Sequence, residues 1–249
     1  MFLQGLLARP AVWADVTTAL AGRRCITADW PFGAHQQPMR AEAELSPPAI
    51  ARLVTEVLDS LGVEQAVLVG NDSGGAIAQL VTAAEPGRVT ALVLVACDAF
   101  EVFPPGAYRQ LFRLARVPGV LGLVAAALTV PGLARSRFGF GAVTRDPSQL
   151  GYPLADPLIR RDLRKLLIGS SNSQTLEAAR TFRDYDRPVL VVWAEEDRLF
   201  PRSLGERLAG AFPRGRMVLV PGSRTFVPID QPQALARLIG EFVEQEAPA

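Results

Sequence analysis

Gln65-Ala-Val-Leu-Val-Gly-Asn-Asp-Ser-Gly-Gly-Ala-Ile-Ala-Gln79 decides how this chain folds. Ala66 to Val69 is a short apolar run rich in β-branched residues, the pattern of a buried parallel strand. From Ser73 to Ala84 small and apolar residues follow at helical spacing, and Pro86 ends the run. Between the two lies Gly70-Asn71-Asp72-Ser73-Gly74. A strand that turns at once into a helix, with glycines two before and two after one polar residue, is a nucleophile elbow. The turn is tight and its central residue strained, so the glycines are required. That geometry raises the central side chain above the sheet at the positive end of the next helix. Here the central residue is Asp72; centring the turn on Ser73 would put Asn71 where glycine is needed.

Outward from the elbow, strand and helix patterns alternate. Met1 to Gln4 is extended, a helix is expected around Val12 to Ala21, and Arg24 to Asp29 reads as a strand. Ser46 is placed to cap a helix opening with Pro47-Pro48, whose apolar face is Ile50, Leu53, Val54, Val57, Leu58 and Leu61. Further strands are expected at Thr90–Ala96, Pro188–Ala194 and Arg216–Val220, with a final helix starting near Asp230 and Gln233. Residues 99–186 hold no buried strand pattern, only helical patterns broken by glycine, proline and serine. The expected fold class is α/β, a mostly parallel doubly wound sheet. Residues 1–98 and 187–249 form its core, and 99–186 form an inserted helical lid. Ligands of such sheets bind at the carboxyl ends of the strands.

Bulk properties narrow the function classes. Of 249 residues 49% are hydrophobic and 20% charged, enough for a sizeable core. A formal net charge of +1 gives no electrostatic support for a nucleic-acid or anionic-membrane partner. Cys25 and Cys97 sit in or beside apolar runs and read as buried thiols of a reducing compartment. Met1 to Pro10 lacks the charged region and cleavage site of a signal peptide, and Val117 to Leu133 is too broken and too short to span a bilayer. A cytoplasmic location is expected. No phosphate loop, zinc spacing or dinucleotide fingerprint is present, so no cofactor and no metal are expected.

Gly70-x-Asp72-x-Gly74, the insertion after the next strand, Trp193-Ala-Glu-Glu-Asp197 and Pro221-Gly-Ser-Arg-Thr-Phe-Val-Pro228 resemble, in this order, the α/β-hydrolase fold family. The resemblance covers nearly the whole chain. An aspartate at the elbow is similar to the epoxide hydrolase and haloalkane dehalogenase branch, where it forms an ester that histidine-activated water hydrolyses. The resemblance places that histidine at Thr225, which cannot act as a base. It also implies an acid at Asp197, an anion site from the N–H groups of Leu6 and Ser73, and Gln4 where the family has a histidine beside glycine. Lid phenols that donate to an epoxide oxygen would be Tyr108 and Tyr152. The family's two leading strands have no counterpart before Met1; either they are lost or the reading frame starts late. The Arg24–Asp29 strand would then be an exposed edge, for which a homodimer is one cover.

Each candidate has a plainer reading. Asp98 could pair with Asp72 as an acid and base, if the two converge. Asp197, without a histidine, could simply cap a helix or pair with Arg198 or Arg202. The only histidine, His35, lies in a loop, at the pocket rim or merely at the surface. Trp30, Phe32 and Phe103 could line a pocket mouth, and a lid tyrosine could be mere packing. The expected ligand is a hydrophobic small molecule. Three functions fit: an epoxide-hydrolase-like enzyme through Asp72, a non-hydrolytic cyclase, isomerase or lyase on the same scaffold, or an inactive ligand-binding homologue.

Overall fold

A computed structural model describes residues 1–137, 139–150 and 154–246. Five parallel strands form one sheet in sequence order: β1 (Phe2–Leu3), β2 (Ala66–Asp72), β3 (Val89–Cys97), β4 (Val189–Ala194) and β5 (Gly215–Val220). The inner strands are apolar on both faces because helices cover both. In β3, Leu92 and Leu94 enter one layer, while Ala91, Val93 and Val95 enter the other. The first layer receives α2 (Pro47–Ser60), α3 (Ser73–Ala84) and α9 (Arg202–Gly210) through Val54, Ile77 and Leu208. The second receives α1 (Ala14–Ala19) and α11 (Pro232–Glu246) through Val16, Leu235 and Ile239. Each such fully buried side chain contributes about 1.5–3 kcal/mol over its exposed state.

Between β3 and β4 the described residues form no strand. They form α4 (Arg109–Leu114), α5 (Val120–Leu128), α6 (Pro131–Ala134), α7 (Pro157–Gly169) and α8 (Asn172–Ala179). Short 3-10 turns at Gly106–Tyr108, Phe140–Ala142 and Pro147–Leu150 link them to one another and to the sheet. Among the described residues no helix is long and apolar enough to cross a membrane.

Three local expectations are corrected. Arg24 to Asp29 is not a strand: only Thr27 bridges Phe2, whose N–H donates to Ile26 O at 2.8 Å. Two-residue β1 offers one pairing position, and Asp29 leaves the sheet to accept from Gln36 N at 2.6 Å. Ser46 precedes α2, but its hydroxyl donates to Glu44 at 2.6 Å and leaves the helix uncapped. Asp230 ends a separate short helix, α10 (Val227–Asp230), and Pro232 starts α11. Of the two thiols, Cys97 is buried and Cys25 half-buried.

Candidate active site

The elbow is as tight as its spacing demands. A Cβ on Gly74 would lie 2.3 Å from Leu3 O and 2.5 Å from Gln4 O, so only glycine lets α3 pass β1. Asp72 ends β2 with φ 52° and ψ −128°, a conformation costing a non-glycine residue on the order of 1–3 kcal/mol. Its Oδ2 accepts from Leu6 N at 2.9 Å, so the glycine turn after β1 supplies the amide. A Cβ on Gly5 would meet that same Oδ2 at 2.6 Å.

Asp72, Ser73 and Leu6 open onto a cavity of about 350 Å³. Tyr108, Leu111, Phe112, Val124 and Leu128 of the helical segment face them, with Phe140, Val143, Leu199 and Phe226 completing an almost wholly apolar wall. Burial pushes the Asp72 carboxyl up to about 7, the N–H groups of Ser73 and Leu6 oppose it, and the charge of Asp197 adds to it. Burial, then the charge of Asp72, raises the Tyr108 phenol to about 12, so it stays protonated as a donor.

Behind Asp72 lie two more carboxyls. Asp98 is fully buried; Ser73 Oγ donates to its Oδ2 at 3.2 Å, and its Oδ1 has no partner. Burial, then the Asp72 charge, raises Asp98 well above the usual carboxylate range, with the Ser73 hydroxyl opposing the rise. Asp197 Oδ1 accepts from Leu199 N and Phe200 N at 2.8 Å each and from Thr225 Oγ1 at 3.0 Å. Its Oδ2 is buried without a partner, and burial raises its carboxyl. Asp197 therefore shapes its own loop and holds Thr225; it pairs with neither Arg198 nor Arg202, the latter bridging Glu206.

Several expected pocket residues lie elsewhere. Thr225 is fully buried and carries no proton-accepting nitrogen; its carbonyl accepts from Asn71 Nδ2 at 2.7 Å. Gln4 is fully buried with neither amide atom partnered, and it does not line the cavity. Trp30 and Phe32 are core: Trp30 Nε1 donates to Phe2 O at 3.0 Å, Leu7 N donates to Phe32 O at 2.9 Å, and both rings are buried in the first layer. His35 is neither at the surface nor at the rim. It is buried, with Nε2 3.3 Å from Asp162 Oδ2, and so pins its loop to α7. Phe103 lines a different cleft. Tyr152 lies outside the described residues.

Two groups tie the site together in ways the sequence did not show. Asn71 donates to Val95 O at 2.9 Å as well as to Thr225 O, stitching β2 to the loop after β5. Asp230 accepts from Thr144 Oγ1, Arg145 N and Arg224 N at 2.7–2.8 Å, tying that loop to the helical segment. The apolar i, i+3, i+4 spacing of Tyr108, Leu111 and Phe112 was the available signal for the cavity roof. No group of three or more histidine, cysteine, aspartate or glutamate side chains able to hold a metal occurs among the described residues.

The alpha/beta hydrolase family profile matches residues 2–238. An uncharacterised hydrolase of Bacillus subtilis, YugF, is 23% identical over 78% of this chain and 71% of its own length. Haloalkane dehalogenase 2 of Mycobacterium bovis is 27% identical over 92% of this chain and 82% of its own. The crystal structure of haloalkane dehalogenase DbeA from Bradyrhizobium elkani superposes with a TM-score of 0.78 at 17% identity, covering 98% of this chain and 88% of that one. The turn after β1, the elbow and the loops after β3, β4 and β5 thus meet at one sheet edge in a chain that belongs to the alpha/beta hydrolase family.

Proposed function

We propose that this protein is an enzyme that moves a proton on a small apolar substrate, with Asp72 as the base and then the acid. The observation that carries this reading is an Asp72 carboxyl raised to about 7 in an almost wholly apolar cavity with no histidine among its described lining residues. A carboxyl poised near the working pH is suited to both halves of a proton transfer. Asp72 takes a proton from a carbon or oxygen of the substrate and becomes neutral. The negative charge left on a substrate oxygen is met by a hydrogen bond from Tyr108, and Asp72 returns the proton elsewhere on the same molecule. The net change is an isomerisation, with no water consumed. The apolar wall excludes the water that would divert the intermediate.

A second reading has one observation of its own. Asp72 would then attack carbon and become esterified, and the buried Oδ2 of Asp197, which has no hydrogen-bond partner, would take the proton of the attacking water. That arrangement would hydrolyse an Asp72 ester, in the manner of an epoxide hydrolase. The two readings separate in D2O and in H2(18)O. With a panel of apolar epoxides, alkyl halides and enolisable ketones, proton transfer yields an isomer without 18O, carrying deuterium only where Asp72 exchanges its proton with solvent before returning it, and Asp72→Asn abolishes the isomer. Turnover to a diol or alcohol with 18O appearing in the Asp72 carboxyl contradicts it.

A further inference from the structure

Phe112 lines a second cavity besides the one at Asp72. It is a cleft of about 460 Å³ between α4 and the corner where α7 gives way to α8. Arg109, Arg113 and Arg116 line it together. Their spacing of four and three residues sets all three on one face of the helix and its last turn, where like charges repel. Among the described residues none of the three forms an ion pair or a side-chain hydrogen bond. The one carboxylate in the lining is already committed: Glu101 accepts from Arg207 Nη1 at 2.7 and 2.9 Å. Asn172, in the first turn of α8, adds an exposed amide with no side-chain partner. A cleft that gathers three uncompensated guanidiniums and a neutral donor, with its only acid neutralised from outside, is complementary to a polyanion of small size.

We propose that this cleft binds a phosphate group. Guanidinium forks match phosphate oxygens two at a time, and a phosphate near pH 7 carries enough charge to answer more than one arginine. A carboxylate would leave the cleft strongly positive. The group belongs either to a soluble phosphate ester or to a lipid headgroup, and the site is separate from the Asp72 carboxyl, with Phe112 as the shared wall.

Isothermal titration of the full chain with inorganic phosphate, at ionic strength held constant with sodium chloride, tests this. Flotation with phosphatidate vesicles against phosphatidylcholine vesicles tests the lipid source. Saturable phosphate binding weakened about tenfold or more in R109Q/R113Q supports the site. Vesicle binding specific to phosphatidate and lost in the same variant supports it as well and assigns the group to a lipid. R237Q, an exposed change on α11, should leave both unchanged. Absence of binding in both arms overturns the proposal, as does equal weakening in R237Q or binding retained by a folded R109Q/R113Q, its fold checked by thermal melting.

Discussion

Asp72 combines strain, burial and charge in one side chain. Because its carboxyl rises from the unfolded value of 3.8 to about 7 on folding, the folded state holds a proton that the unfolded state has released between those values. Stability therefore falls as pH rises from about 4 to 7 and stays lowered above it. Asp98 and Asp197 act in the same direction. Asp72→Asn removes the ionisable group while keeping an acceptor for Leu6 N. It is expected to stabilise the protein by roughly 2–4 kcal/mol at pH 8, and little at pH 4, in urea denaturation at the two pH values. An equal effect at both would show that Asp72 carries no cost of ionisation. The identity of this residue was legible from glycine spacing alone. Its proton affinity was not, because that depends on burial under walls drawn from distant parts of the chain, from Tyr108 to Phe226.

The turn after β1, the elbow and the loop after β5 are held by backbone contacts that single positions control. Gly74→Ala would drive a methyl into the Leu3 and Gln4 carbonyls, which cannot move without breaking β1 from β2. A loss of about 3 kcal/mol or more in denaturant titration is expected, beyond ordinary overpacking. Asn71→Ala would leave the Thr225 carbonyl buried without its donor and should cost about 1–3 kcal/mol. His35→Ala should weaken the attachment of its loop to α7, seen as faster amide exchange from His35 to Met39. The strands β2 to β5 and the helices around them were readable because each carries its own period or apolar run. Arg24 to Asp29 misled because its composition is strand-like while its partner β1 is only two residues long. His35 and Thr225 were assigned by place in the loop order, and loop order does not say which side chain a group will meet: Asp162 for one, Asp197 for the other.

Taken whole, the molecule is a sheet that brings its loops to one edge and a helical segment that closes over them. The parallel sheet of β1 to β5 follows from the sequence, apart from the Arg24–Asp29 segment that does not join it. The cavity does not, because its volume arises where α4 and α5 stand off from the elbow, a matter of packing between distant segments. Within that cavity the proposed proton transfer rests on one group, the buried Asp72 carboxyl at the elbow of an alpha/beta hydrolase scaffold. Carboxyl-detected 13C NMR of the labelled protein, titrated from pH 4 to pH 9 beside Asp72→Asn, reads the decisive quantity. A carboxyl resonance with a midpoint near 7, absent from the Asp72→Asn spectrum, is the expected result. A midpoint near 4 for that resonance would contradict it, leaving Asp72 a permanent carboxylate with no proton to return.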